Sequence, residues 1–238
     1  MKKFIKNLIK LILINTPYFI LKNFIENFFK NYFERKKSKN LESIYYKNFY
    51  TIDQNSKWFC NNLQFLTKNI PKIKGSSKIN DILEIGSYEG RSAIFFLSFF
   101  HSSKIACVDT WKGSDEHKKN MFKDVELNFD RNTLSYVNKY KLKKIKEDSD
   151  SFFEKNSKFY DLIYLDGDHN ACQVSKDLDN AWNCLQNGGI LILDDYLWWY
   201  YKKLKKNPSK PINNFLLKNK NKISKLIVWN QVLIKKNF

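Results

Sequence analysis

Glycine is scarce in this chain, with 7 in 238 residues, so the places where two fall close together stand out: Gly86 with Gly90, and Gly188 with Gly189. No Gly-x-Gly-x-x-Gly occurs, which argues against the pyrophosphate turn of a nicotinamide dehydrogenase. Cysteine is also sparse. Cys60, Cys107, Cys172 and Cys184 form no Cys-x-x-Cys pair and no Cys/His cluster of zinc-ligand spacing, so the simplest expectation is reduced thiols in the cytoplasm. A spanning helix needs about 20 mostly apolar residues, and Lys10, Lys22 and Glu26 interrupt the apolar front of the chain. Lysines within that front, with no small-residue cleavage site after it, also argue against a secretory signal. Internal repeats are lacking. Acidic residues are few, 24 against 42 Lys and Arg, for a net charge of +18. That balance suits anionic partners such as nucleic acid, phospholipid or acidic glycans. A compositional drift toward Asn, Lys, Ile and Phe accounts for it equally well.

What is present begins with an amphipathic, basic extension over residues 1–40. Phe4, Leu8, Leu11 and Ile12 fall at helical spacing among Lys3, Lys6 and Lys10. Pro17 breaks the run, and a second amphipathic segment follows from Tyr18 to Phe33, leading into Arg35, Lys36, Lys37 and Lys39. Two arrangements fit: an in-plane helix on an anionic membrane surface, or aromatics packed on the rest of the chain or on a second copy of it. The remainder, 41–238, reads as one domain. A helix from Leu41 to Ile70, with Phe59, Leu63, Leu66 and Ile70 on one face, is expected to end at Pro71.

The organising stretch is Asp81 to Ser92. An apolar run ends at Glu84-Ile85, a glycine turn spans Gly86 to Gly90, and an apolar-periodic segment runs from Ala93 to Phe100. Strand, glycine turn and helix N-terminus let a ligand approach the backbone, and a nucleoside-bearing cofactor is the expected tenant. A second apolar run, Lys104 to Asp109, closes on an acid 23 residues beyond Gly86. A carboxylate there is placed to accept both hydroxyls of a ribose. A helix holding Val125, Phe129 and Leu134, a short strand from Ile145 ahead of the Glu147-Asp148-Ser149 turn, and a strand from Tyr160 to Leu165 come next. That last strand ends in Asp166-Gly167-Asp168-His169. The helix after it, from Ala171, is expected to stop at Gly188-Gly189, and Ile190 to Leu193 then runs into Asp194-Asp195-Tyr196. Strands Ile223 to Val228 and Gln231 to Ile234 close the chain as an antiparallel pair. The expected fold is α/β: a Rossmann-like, doubly wound, mostly parallel sheet of about seven strands with a C-terminal antiparallel hairpin, preceded by N-terminal amphipathic helices.

Strands ending in Asp166 and Asp194 would lie about 4.8 Å apart as sheet neighbours, so Asp166, Asp194 and Asp195 could converge on one hard divalent cation such as Mg²⁺. Without a cation, Asp194 and Asp195 serve a turn or the backbone. His169 titrates near neutrality and can take a proton beside Asp166, or can orient Asp166 from behind.

Taken together, Leu83 to Ser92, Asp109-Thr110-Trp111, Leu165 to His169 and Gly188 to Tyr196 resemble the motifs of class I S-adenosylmethionine-dependent methyltransferases, in particular the catechol-type and small-molecule O-methyltransferases. The likeness covers Trp58 to Lys235. It implies that Glu84, Gly86, Tyr88, Gly90 and Ser92 hold the methionine end of S-adenosylmethionine, Asp109 the ribose, and Asp148 and Ser149 the adenine edge. It further implies Asp166, Asp194 and Asp195 as cation ligands, with His169 standing where the catechol-type enzymes use a lysine as base. The implied activity is methylation of an oxygen on a small molecule or glycan. RNA methylation, which the charge would allow, is disfavoured because Asp194-Asp195-Tyr196 departs from the Asn/Asp-Pro-Pro-aromatic signature; a non-catalytic, membrane-associated scaffold is the rival of another class.

Overall fold

The computed structural model describes residues 2–34, 59–114 and 124–238. A seven-stranded sheet runs in the order β3-β2-β1-β4-β5-β7-β6. Its strands are β1 Asp81–Ile85, β2 Lys104–Asp109, β3 Leu142–Lys146, β4 Tyr160–Leu165, β5 Leu185–Leu193, β6 Ile223–Val228 and β7 Val232–Lys236. The first five pair in parallel, and β7 pairs antiparallel with both β5 and β6. The order reverses at β1, whose carboxyl end meets those of β2 and β4, the switch point where open α/β sheets place ligands.

The central strands are mostly apolar because both faces are covered. Ile82, Leu162, Tyr164, Ile190 and Ile192 face one core, with α3 Cys60–Lys74, α4 Arg91–Phe99 and α5 Val125–Val137 over it. Leu83, Ile163, Leu191 and Leu193 face the other. There α1 Lys2–Leu13, α2 Tyr18–Glu34, α6 Ser149–Lys155, α7 Ala171–Cys184 and α8 Ser209–Lys218 lie.

The N-terminal helices are part of this packing. Leu11, Ile14, Ile20 and Phe24 are buried in the second core, Phe4 stacks on Phe28 at 3.7 Å between ring centroids, and Phe24 stacks on Trp229 at 5.4 Å. Asn23 of α2 donates from Nδ2 to the Leu226 carbonyl (2.9 Å) and accepts from the Val228 N–H (2.7 Å). It thereby occupies backbone groups that edge strand β6 would otherwise present to another chain. Among the described residues no helix is long and apolar enough to cross a membrane.

Three boundaries differ from the sequence reading. Pro71 lies inside α3, which continues to Lys74 because Ile73 is fully buried and the Gly75 N–H closes the last turn on the Pro71 carbonyl; the residues expected before Phe59 in this helix fall outside those described. The expected helix holding Val125, Phe129 and Leu134 is α5, with Val125, Phe129 and Thr133 on its buried face. β3 begins at Leu142, and Ser149 already opens α6, with Asp148 as its cap. Finally, α7 ends at Cys184 and β5 starts at Leu185, so Gly188 and Gly189 belong to a strand. Gly188, at φ +74°, takes up the register shift between β4 and β5, a bulge role that also calls for glycine.

Candidate active site

The carboxyl ends of β1, β2, β4 and β5 open into a cleft of about 1280 Å³. At its centre the turn after β1 needs its glycine: Gly86 has φ +85°, and a Cβ there would lie 2.0 Å from the Asp166 carbonyl oxygen. Close approach of the β1 and β4 loops brings the two halves of the cleft together. Gly90, at φ +82°, starts α4, and Tyr88 between them also has positive φ.

Asp109 holds that turn. Its Oδ2 accepts from the Ser87 and Tyr88 N–H groups (2.8 and 2.9 Å) and its Oδ1 from the Trp111 N–H (2.7 Å). Trp111 Nε1 donates back to the Tyr88 carbonyl at 2.8 Å. A carboxylate has about four lone-pair sites, so capacity remains on Oδ1 toward the cleft. Asp148 caps α6 by accepting from the Ser151 N–H at 2.9 Å, and Ser149 Oγ receives Gln173 Nε2 at 3.0 Å.

Glu84 sits beneath the turn, fully buried. Its carboxylate faces the hydroxyls of Ser87 and Ser92 and the Cys107 thiol, yet neither oxygen closes a hydrogen bond of full geometry. Burial raises its pKa to about 7, against the opposing pull of those three neighbours. A buried carboxylate without a satisfying donor fits a site completed by a cationic or N–H-bearing ligand group.

Across the sheet edge the acids divide differently from the sequence reading. Asp166, His169 and Asp195 each bring a ligand atom within 4.8 Å of the others. His169 Nε2 lies 3.0 Å from Asp195 Oδ2 and 3.6 Å from Asp166 Oδ1. Asp194, expected beside Asp166 and Asp195, is outside this group. It is buried and taken up by other partners: Asn62 Nδ2 donates to both its oxygens (3.1 and 2.9 Å), and the Tyr164 hydroxyl donates to its Oδ2. The backbone explains the split, since Asp195 has φ +52° and its N–H is held by Asp194 Oδ1 at 2.8 Å. Consecutive side chains thus part, Asp194 toward Asn62 and Tyr164 and Asp195 toward His169.

Withdrawal from water is the main influence on both inner acids, raising Asp166 to about 6 and Asp194 well above the carboxylate range. Their mutual repulsion and the Asp195 charge add to it, while His169 pulls Asp166 down. Trp198 completes the wall, its ring centroid 5.0 Å from that of His169 and 5.5 Å from that of Tyr200.

Residues 83–196, from the end of β1 to the turn after β5, match the family model described as a methyltransferase domain. That stretch of the chain carries a methyltransferase domain. Solved structures that share its fold include Podospora anserina methyltransferase PaMTH1 bound to S-adenosylhomocysteine, 14% identical over 85% of this chain and 96% of that one, TM-score 0.55. An O-methyltransferase from Bacillus cereus in complex with S-adenosylhomocysteine is 13% identical over 84% and 90%, TM-score 0.51. MycE of the mycinamycin biosynthetic pathway, in complex with Mg, S-adenosylhomocysteine and mycinamycin VI, is 17% identical over 83% of this chain and 54% of that one, TM-score 0.54. No curated protein sequence matches the chain.

Several residues of the methyltransferase cleft were not singled out in the sequence. Asn62 and Tyr164 were read only as parts of a helix and a strand. Their signal is weak: one Asn among many, and a Tyr two residues before Asp166 whose hydroxyl needs a partner once buried. Lys6, Asn7 and Lys10 of α1 line the cleft, and no local pattern places a helix from the start of the chain beside residues from 166 to 198.

Proposed function

We propose that this methyltransferase transfers the methyl group of S-adenosylmethionine to an oxygen of a small molecule or glycan, with a divalent cation orienting the acceptor. The observation that carries this reading is the two-part cleft. A glycine turn with the unsatisfied Glu84 carboxylate lies at one end, and three convergent ligand groups lie at the other.

Glu84, Gly86, Tyr88, Gly90 and Ser92 would bind the methionine end of the cofactor, Asp109 a ribose hydroxyl, and Asp148 and Ser149 the adenine edge. Asp166 and Asp195 would hold the cation. Their carboxylate oxygens form a hard donor set, which suits Mg²⁺ and Mn²⁺, and the imidazole beside them is left for the proton. When bound, the cofactor supplies a methyl group on a sulfonium leaving group, and the cation supplies positive charge that lowers the pKa of an acceptor hydroxyl. His169 would take that hydroxyl's proton at Nε2. Asp194, fixed by Asn62 and Tyr164, keeps the Asp195 backbone in place, and Trp198 backs the imidazole. The residues' main contribution is positioning, which can supply much of the rate enhancement of a displacement between two bound partners.

Two measurements test the proposal. In isothermal titration S-adenosylmethionine should bind and NADH should not, with Asp109→Ala at least tenfold weaker because the turn and the ribose lose one anchor together; a folded protein that does not bind S-adenosylmethionine overturns the reading. With labelled cofactor and a panel of hydroxyl-bearing small molecules, glycans and RNA, transfer to an oxygen acceptor should stop in EDTA and return with Mg²⁺ or Mn²⁺. Full activity in chelator would remove the cation from the mechanism, and methylated RNA alone would change the acceptor class.

A further inference from the structure

α1 has two apolar faces, and the core covers one of them. Leu11 and Ile14 point inward, while Ile5, Ile9, Ile12 and Leu13 form a second strip that is 48 to 61% exposed. Residues five, nine, twelve and thirteen of a 3.6-residue repeat share one side of the helix, so this is a continuous patch. Isolated exposed apolar side chains are ordinary, but a continuous strip on one helix marks an interaction surface.

The border of the strip is cationic. Lys2, Lys6 and Lys10, four residues apart, lie along one ridge of α1, with Lys2 and Lys6 exposed. Lys10 Nζ sits 4.6 Å from the Trp199 ring centroid, at the start of the segment that carries the exposed Lys202, Lys203, Lys205 and Lys206. Lys220 Nζ lies 5.1 Å from the ring centroid of Phe19, near the start of α2. The apolar strip is flanked by the lysine ridge of its own helix, and two such faces on chains of charge +18 repel. An anionic bilayer supplies both missing halves, an apolar interior for the isoleucines and phosphates within reach of the ammonium groups.

We propose that the outward face of α1 docks on an anionic lipid bilayer, Ile5, Ile9, Ile12 and Leu13 entering the acyl boundary while the lysine ridge contacts headgroup phosphates. Lys6 and Lys10 also line the cleft. Docking on this face therefore sets the cleft mouth beside the membrane surface.

Flotation of the full chain tests this directly. The protein should rise with vesicles of mixed phosphatidylcholine and phosphatidylglycerol, stay down with pure phosphatidylcholine, and be released by salt, since each lysine near an anionic surface strengthens partitioning about fivefold. Ile9→Lys/Ile12→Lys should lower the floated fraction at least tenfold, with thermal midpoint and S-adenosylmethionine affinity unchanged. Ile9→Ser, a milder change at an exposed position, should lower it in the same direction and serves if the double variant folds poorly. Failure of the unaltered protein to float on the anionic vesicles overturns the proposal, and so does equal flotation of the variants. Light scattering that shows a dimer dissociated by the same substitutions assigns the face to a second copy instead. These readouts do not depend on methyl transfer.

Discussion

Glu84 couples the cleft to pH. Its pKa is about 7 in the folded chain against an ordinary 4.5, so between those values the folded state holds a proton that the unfolded chain has released. Stability from this group is intact below pH 4.5 and is lost as pH rises through about 7. The full loss is about 3 kcal/mol for a shift of this size. Urea unfolding of the ligand-free protein should therefore show falling stability between pH 5 and pH 8, and Glu84→Gln, which cannot ionise, should lessen that slope, the raised Asp166, Asp177 and Asp194 supplying the rest; an equal slope in the variant would place its origin elsewhere. The positions of the acids were legible in the sequence, because Glu84, Asp109, Asp166 and Asp194 sit at or just beyond the ends of apolar runs. Which of them face one another was not. That depends on a positive φ at Asp195 and on Asn62 and Tyr164 capturing Asp194, and neither leaves a pattern along the chain.

The parallel strands were readable for a physical reason: strands covered on both faces are short, mostly apolar and bounded by polar turns. Helix ends were less so. Proline at position 71 and the Gly188-Gly189 pair are ordinary stop signals, yet burial of Ile73 carries α3 past one, and strand pairing of Leu185 begins before the other. Tertiary contacts, invisible in a local window, outweighed propensity at both. The two faces of α1 posed the same difficulty, since apolar residues all round a helix do not say which side is covered. A pair of substitutions reads this out. Leu11→Ala, at a fully buried position, should cost about 3 kcal/mol in urea unfolding, while Ile12→Ala, at one 56% exposed, should cost less than about 0.5 kcal/mol. Equal costs would mean that α1 is not seated on the domain as described.

The whole molecule carries +18, and this charge opposes its own compactness. Moving from about 20 mM to about 300 mM NaCl shortens the Debye length from about 20 Å to about 6 Å. The thermal midpoint should rise by a few degrees in consequence; a midpoint that falls would mean that surface ion pairs, such as Lys144 with Glu126 and Asp130, outweigh the repulsion. The cleft itself has an uneven origin along the chain. The residues assigned to the cofactor and cation all lie between 84 and 195, whereas Lys6, Asn7 and Lys10, with Phe59 and Asn62, come from ahead of that segment, and Asn230 comes from beyond it. Substitutions in the outlying pieces can reshape one wall while leaving the donor machinery intact. Under the proposed function, a change of acceptor would call for substitutions in these outlying pieces and none in the residues proposed to hold the donor, and chimeras exchanging α1 and α2 between relatives would read this out.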